Sequence, residues 1–146
     1  MSLKTLCTPS RFSVGPGLPP QLIPAGVDTL VAMPTLHFDS LDEFDLVAGT
    51  FTPVRAGYYL LNAHLQFVAG GLAYPVILTI SNIGVAVAMD VEAVVEAGGF
   101  VTIEGSVIVY CTPNDNWAVT VLQNSGGGKN VNPTNNISFF CGHRLS

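Results

Sequence analysis

The sequence predicts an all-β domain, a sandwich or barrel of short antiparallel strands, with an extended N-terminal arm. Three observations carry this. Apolar residues alternate with period two beyond Asp28, turn residues recur between the alternating runs, and prolines crowd the start of the chain.

The arm comes first. Pro9, Pro16, Pro19, Pro20, Pro24 and Pro34 are six of the ten prolines. Proline fixes φ and lacks an N–H, so this stretch is expected to form neither a helix nor a central strand. Residues 1–25 are therefore read as an arm and residues 26–146 as the domain. Leu3, Leu6, Phe12, Val14, Leu18, Leu22 and Ile23 are spread along the arm rather than clustered. A strap of this kind gains by lying across another surface, so these seven side chains are expected to contact neighbouring molecules.

The strands follow. Tyr59, Leu61, Ala63, Leu65 and Phe67 share one face of the strongest run, and Tyr58, Leu60, Asn62, His64 and Gln66 share the other. Val76, Leu78 and Ile80 alternate next, and Val85–Met89 reads as a short apolar strand. Val107, Val109 and Cys111 fall together, as do Trp117, Val119 and Val121. In the closing strand Ile137, Phe139 and Cys141 share a side. The expected core is Tyr59, Leu61, Leu65, Phe67, Val119 and Phe139. Asp90–Glu96 is the one helix-like window. Turns are expected at Ala48-Gly49, Ala69–Gly71, Ser81-Asn82, Ala97–Gly99 and Thr112–Asn116, with a long surface loop around Gly126–Gly128.

Composition narrows the function. Hydrophobic residues make up 49% of the 146 and charged residues 10%, against roughly 25% charged in ordinary domains. That excludes a disordered chain. No apolar run approaches the roughly 20 residues of a spanning helix. Net charge is −5, and no lysine or arginine stands between Arg55 and Lys129. Phosphate binding needs clustered positive charge, so neither nucleic acid nor an acidic membrane is an expected partner. Cys7, Cys111 and Cys141 form no close pair, which argues against a disulfide framework or zinc finger. Met1–Ser10 has no continuous apolar stretch of a secretion signal. The expectation is synthesis in a reducing cytoplasm with free thiols.

At Gly49-Thr50-Phe51-Thr52-Pro53-Val54-Arg55-Ala56-Gly57-Tyr58-Tyr59-Leu60 the chain resembles the complement globular-head family, whose fold is shared with tumour necrosis factor. Leu36–Asp39 with Phe44-Asp45, Gly105–Val109 with Trp117–Val119, and Ser138–Leu145 resemble flanking family segments in the same order. Two departures stand out. There is no collagen-like stalk, and Pro113-Asn114-Asp115-Asn116 replaces the usual Gly-Asp turn. The resemblance implies a ten-stranded TNF-like jelly roll that forms a tight homotrimer. On that reading Tyr58, Leu60, Asn62, His64 and Gln66 lie at the trimer interface. The residues agree, since a strand apolar on one face whose other face begins Tyr58, Leu60 needs a second cover.

Catalytic signatures are absent. There is no Gly-x-Ser-x-Gly elbow, no His-Glu-x-x-His and no complete phosphate loop. Asp39, Asp42, Glu43 and Asp45 read as a solvated acidic loop rather than a cation site. His64 would recur three times around a threefold axis, and three imidazoles can hold a metal. The plainer reading is a hydrogen-bonded interface histidine. No cofactor or metal is expected, and no enzymatic activity.

The favoured function is structural. A free-standing trimeric jelly roll with a proline-rich arm resembles the capsid decoration, or cement, proteins of tailed phages. Its partners would be the major capsid protein and neighbouring trimers on the virion surface. The alternative is a trimeric receptor- or carbohydrate-binding head on a phage tail, spore or bacterial surface. Fold alone does not choose between them.

Overall fold

The computed structural model describes residues 8–68, 74–95, 100–134 and 137–146. The turns expected at Ala69–Gly71 and Ala97–Gly99 lie outside the described residues, as do Leu3 and Leu6. Among the described residues there is no helix.

Thirteen strand segments follow in chain order: β1 (Arg11–Gly15), β2 (Leu22–Ile23), β3 (Thr29–Leu30), β4 (Thr35–Asp39), β5 (Phe44–Asp45), β6 (Thr50–Phe51), β7 (Gly57–Val68), β8 (Tyr74–Asn82), β9 (Ala86–Val95), β10 (Phe100–Cys111), β11 (Trp117–Gln123), β12 (Lys129–Asn130) and β13 (Phe139–Arg144). They build a five-stranded sheet in the order β10-β7-β13-β1-β4 and a second sheet in the order β5-β6-β11-β8-β9, with β3 beside β11. The ladders of both sheets run antiparallel. The core fills the space between the sheets. Tyr59, Leu61, Ala63, Leu65 and Phe67 enter from β7, Val76, Leu78 and Ile80 from β8, and Val119 and Val121 from β11. The period-two pattern fixes which residues these are, because neighbours on a strand point to opposite faces.

Three expectations change. The first is the arm. Residues 11–15 are not a strap but β1, paired on one side with β13 and on the other with β4. Phe12 and Val14 are in the chain's own core, as is Ile23, so none of the three is free to contact a neighbour. Pro9 and Pro16 flank a proline-free run of six residues, Ser10–Gly15, long enough for a strand. A register shift opposite Ser13 and Val14 falls at His37 of β4, so β1 keeps its alternation and turns Phe12 and Val14 inward. Leu18 and Leu22 do remain exposed. The chain beyond β1 is tied down, since Gln21 bonds the Leu30 carbonyl and the Ala32 amide at 2.8 Å each.

The second is the helix-like window. Asp90–Val95 belongs to β9, paired with β8 from Asn82↔Ala86 to Tyr74↔Val95. Glu96 lies outside the described residues. Met89, Val91 and Ala93 pack on the core while Asp90 and Glu92 stay exposed. Non-local pairing beside β8 outweighs a short helical pattern.

The third is the closing strand. Phe140 is the buried ring and Phe139 faces outward with Cys141 and His143. Two adjacent phenylalanines leave the phase of the strand open, and the β13–β7 register decides it by setting Phe140 opposite Ala63. Gly142 sits inside this strand because a Cβ there would lie 2.7 Å from both Phe12 and Leu61.

The acidic loop is also more structured than expected. Glu43 is 4% exposed. Its carboxylate accepts hydrogen bonds from the Ser10 hydroxyl at 2.5 Å and the Val54 amide at 2.8 Å. Asp39 and Asp45 accept from backbone amides of their own loop. Among the described residues no three His, Cys, Asp or Glu side chains could hold a metal ion. Burial raises the Glu43 pKa, the hydrogen bonds from Ser10 and Val54 opposing it. A carboxyl raised in the folded state favours folding below the unfolded value, near 4.5, and loses that contribution as pH rises through the folded value. Glu43→Gln removes the titration and keeps the shape. The stability advantage of wild type over Glu43→Gln should therefore shrink from pH 4 to pH 7 in urea unfolding. A pH-independent difference would contradict this.

Candidate functional site: the outward face of the five-stranded sheet

Cross-strand register assembles the site. On the face turned from the core, Tyr58 lies beside Tyr110, Leu60 beside Ile108 and His143, Asn62 beside Ser106 and Cys141, His64 beside Glu104 and Phe139, and Gln66 beside Thr102. All five residues expected at the interface thus share one face. The face extends beyond them to β10 and β4, which the sequence reading did not include. The alternation that sends Val107, Val109 and Cys111 inward sends Ile108 and Tyr110 outward, so that signal was present.

One end of the face is apolar. Tyr58 is 52% exposed, Ile108 63% and Tyr110 53%. The two tyrosine rings meet edge to face at 5.3 Å. Across the sheet, Phe38 of β4, opposite Ser13, stands about half exposed, and the Arg11 guanidinium lies 5.6 Å from its ring centre. The other end is polar and internally bonded. The His64 ring stacks on Phe139 at 5.2 Å and its Nδ1 donates to the Ile137 carbonyl. Its Nε2 stands 3.9 Å from Glu104 Oε2, an ion pair when the ring is protonated. Asn62 donates to Ser106, and Asn132 donates to the Gln66 side chain. The outward face of the second sheet differs. It presents Thr79, Thr120, Asp90 and Glu92 around half-buried Ile77 and Leu122, with exposed Leu30 and Val87 at its margins.

The face also holds a serine beside a histidine. Ser13 Oγ and His37 Nδ1 are 3.1 Å apart, next to a cavity of about 290 Å³ that Phe38, Phe139 and Cys141 complete. A nucleophile–base pair works when a third group orients the base. Here His37 Nε2 is buried and has no hydrogen-bond partner among the described residues. Burial raises the Cys141 thiol and pushes Cys111 up to about 12. Both stay protonated at neutral pH and are poor nucleophiles.

No family model matches this chain, and no curated protein does. Solved structures do. Eiger TNF from S. frugiperda superposes with a TM-score of 0.70 at 9% identity, over 95% of this chain and 94% of that one. Murine APRIL gives 0.71 at 11% identity, over 94% and 99%. The globular domain of zebrafish complement 1qA protein gives 0.61 at 16% identity, over 94% and 98%. The fold is the TNF-like jelly roll. At these identities the likeness is one of fold, and it spans nearly the whole chain.

Proposed function

We propose that this chain is a non-enzymatic structural protein that assembles as a homotrimer through the outward face of the five-stranded sheet. The observation that carries the reading is the contrast between the two sheet surfaces. One presents Thr79, Thr120, Asp90 and Glu92 around half-buried Ile77 and Leu122, with Leu30 and Val87 exposed at its margins. The other presents Tyr58, Leu60, Ile108, Tyr110 and Phe38, an apolar area of the kind that marks an interaction surface. Tyrosine is favoured at such interfaces because it combines apolar area with a polar tip. The expected result in light scattering at micromolar concentration is three times the 15.3 kDa chain mass. A chain-mass particle would overturn the proposal.

The finer reading is capsid decoration, in which the trimer binds the outside of a phage shell and strengthens it. Its support is the band of exposed Leu18, Leu22 and Val27 beside Pro19, Pro20 and Pro24, apart from the interface face and poor in charge. Such a band would bridge the trimer to the major capsid protein or to the next trimer. The alternative, a recognition head, is favoured by the similarity to TNF and complement globular domains. Cosedimentation of the trimer with purified shells separates the two. Decoration that Leu18→Asp with Leu22→Asp abolishes, while the trimer persists, supports the structural role.

A further inference from the structure

We infer that the groove on the outward face between β4 and β13 binds a small monocarboxylate with an apolar body, an aromatic or short aliphatic acid. One chain suffices to form the site. A run of small residues makes its floor. Ser13 of β1 stands opposite Cys141 of β13, and Gly15 follows two residues along the same face. Rings wall this floor. Phe38 of β4 lies opposite Ser13, and Phe139 precedes Cys141 by two residues. The His37 ring covers Gly15, where an added Cβ would lie 3.2 Å from its Cε1 and Nε2. Small residues ringed by large ones leave a cavity of about 290 Å³. A second, of about 320 Å³, adjoins it, and Phe38 and Cys141 line both. Small-ligand sites run from about 300 Å³ upward.

Charge selects the ligand. Arg11 borders the second cavity, its guanidinium 5.6 Å from the Phe38 ring centre. A guanidinium resting on an aromatic ring keeps its planar fork of donors, the shape that matches a carboxylate. Among the described residues Arg11 has no carboxylate within 4 Å. Asp39, opposite Phe12, accepts from the Leu41 and Phe44 amides instead. The first cavity calls for no second charge. There Ser13 Oγ and His37 Nδ1 satisfy one another at 3.1 Å, and the rest of the lining is Phe38, Phe139 and the Cys141 thiol. Burial keeps that thiol protonated at neutral pH. One cation beside an apolar trough fits one carboxylate joined to an apolar body.

The test titrates 3-phenylpropionate by calorimetry at about 0.15 M salt, with its uncharged amide as control. Wild type and Ile108→Asp are both used, so that a second copy seated on this face does not hide the groove. The acid should bind one per chain with a Kd of about 1 mM or lower, about tenfold tighter than the amide. Arg11→Gln should erase that preference. Ser13→Leu fills the floor and should abolish binding of both compounds. If Ser13→Leu fails to fold, Cys141→Leu should do the same. Binding to Ile108→Asp alone supports the site and shows that the wild-type assembly covers it. No binding of the acid to either chain at about 10 mM overturns the inference. So does a preference for the acid that survives Arg11→Gln, or binding that survives the filled groove.

Discussion

Phe12→Ala should cost about 3–5 kcal/mol, the range for truncating a buried aromatic ring. Phe12 is 1% exposed and lies between the two sheets. Its ring stacks on Phe51 at 4.4 Å and on Phe44 at 5.4 Å, and meets Phe140 edge-on at 5.1 Å. Gly142 leaves room for its edge. Phe12 therefore joins β1, β5, β6 and β13 in one aromatic cluster, and its removal leaves a cavity that four elements would have to move to fill. Domains are stable by about 5–15 kcal/mol, so this one change takes a large share. Denaturant unfolding measures it. A loss under about 1 kcal/mol would mean that the N-terminal segment is not part of the core.

Ile108→Asp should leave the fold intact and dissolve the trimer. Ile108 is 63% exposed on β10, so the chain alone loses little packing when it is replaced. In the proposed assembly the same position is covered, and an uncompensated buried charge costs on the order of 3–5 kcal/mol. The change recurs in all three subunits. Light scattering should report the chain mass, while circular dichroism keeps the β signature of wild type. A trimer that survives Ile108→Asp with wild-type affinity would move the interface elsewhere on the molecule.

Much of this was readable in the residues. Alternation in Tyr58–Phe67 sorted β7 into its core-facing and outward rows, because a strand whose two faces differ in polarity has one favourable orientation. The Gly49–Leu60 segment led to the jelly roll, and the fold agrees. Local pattern failed where two answers were locally equal. Phe139 and Phe140 are interchangeable in polarity, and the pairing of β13 with β7 chose between them. Asp90–Glu96 has helical spacing over about two turns, and pairing with β8 makes Asp90–Val95 strand.

The sequence by itself determined the fold class, the inward rows of β7, β8, β10 and β11 and the lack of any cationic surface across the middle of the chain. These follow from side-chain period and charge, which are local properties. Tertiary structure decided the rest. It drew Arg11–Gly15 between β13 and β4, turned Glu43 inward onto Ser10 and Val54, and gathered Tyr58, Ile108, Phe139 and Phe38 from four strands onto one surface. Each of these depends on contacts between residues far apart in the chain, whose energy appears once the strands are paired.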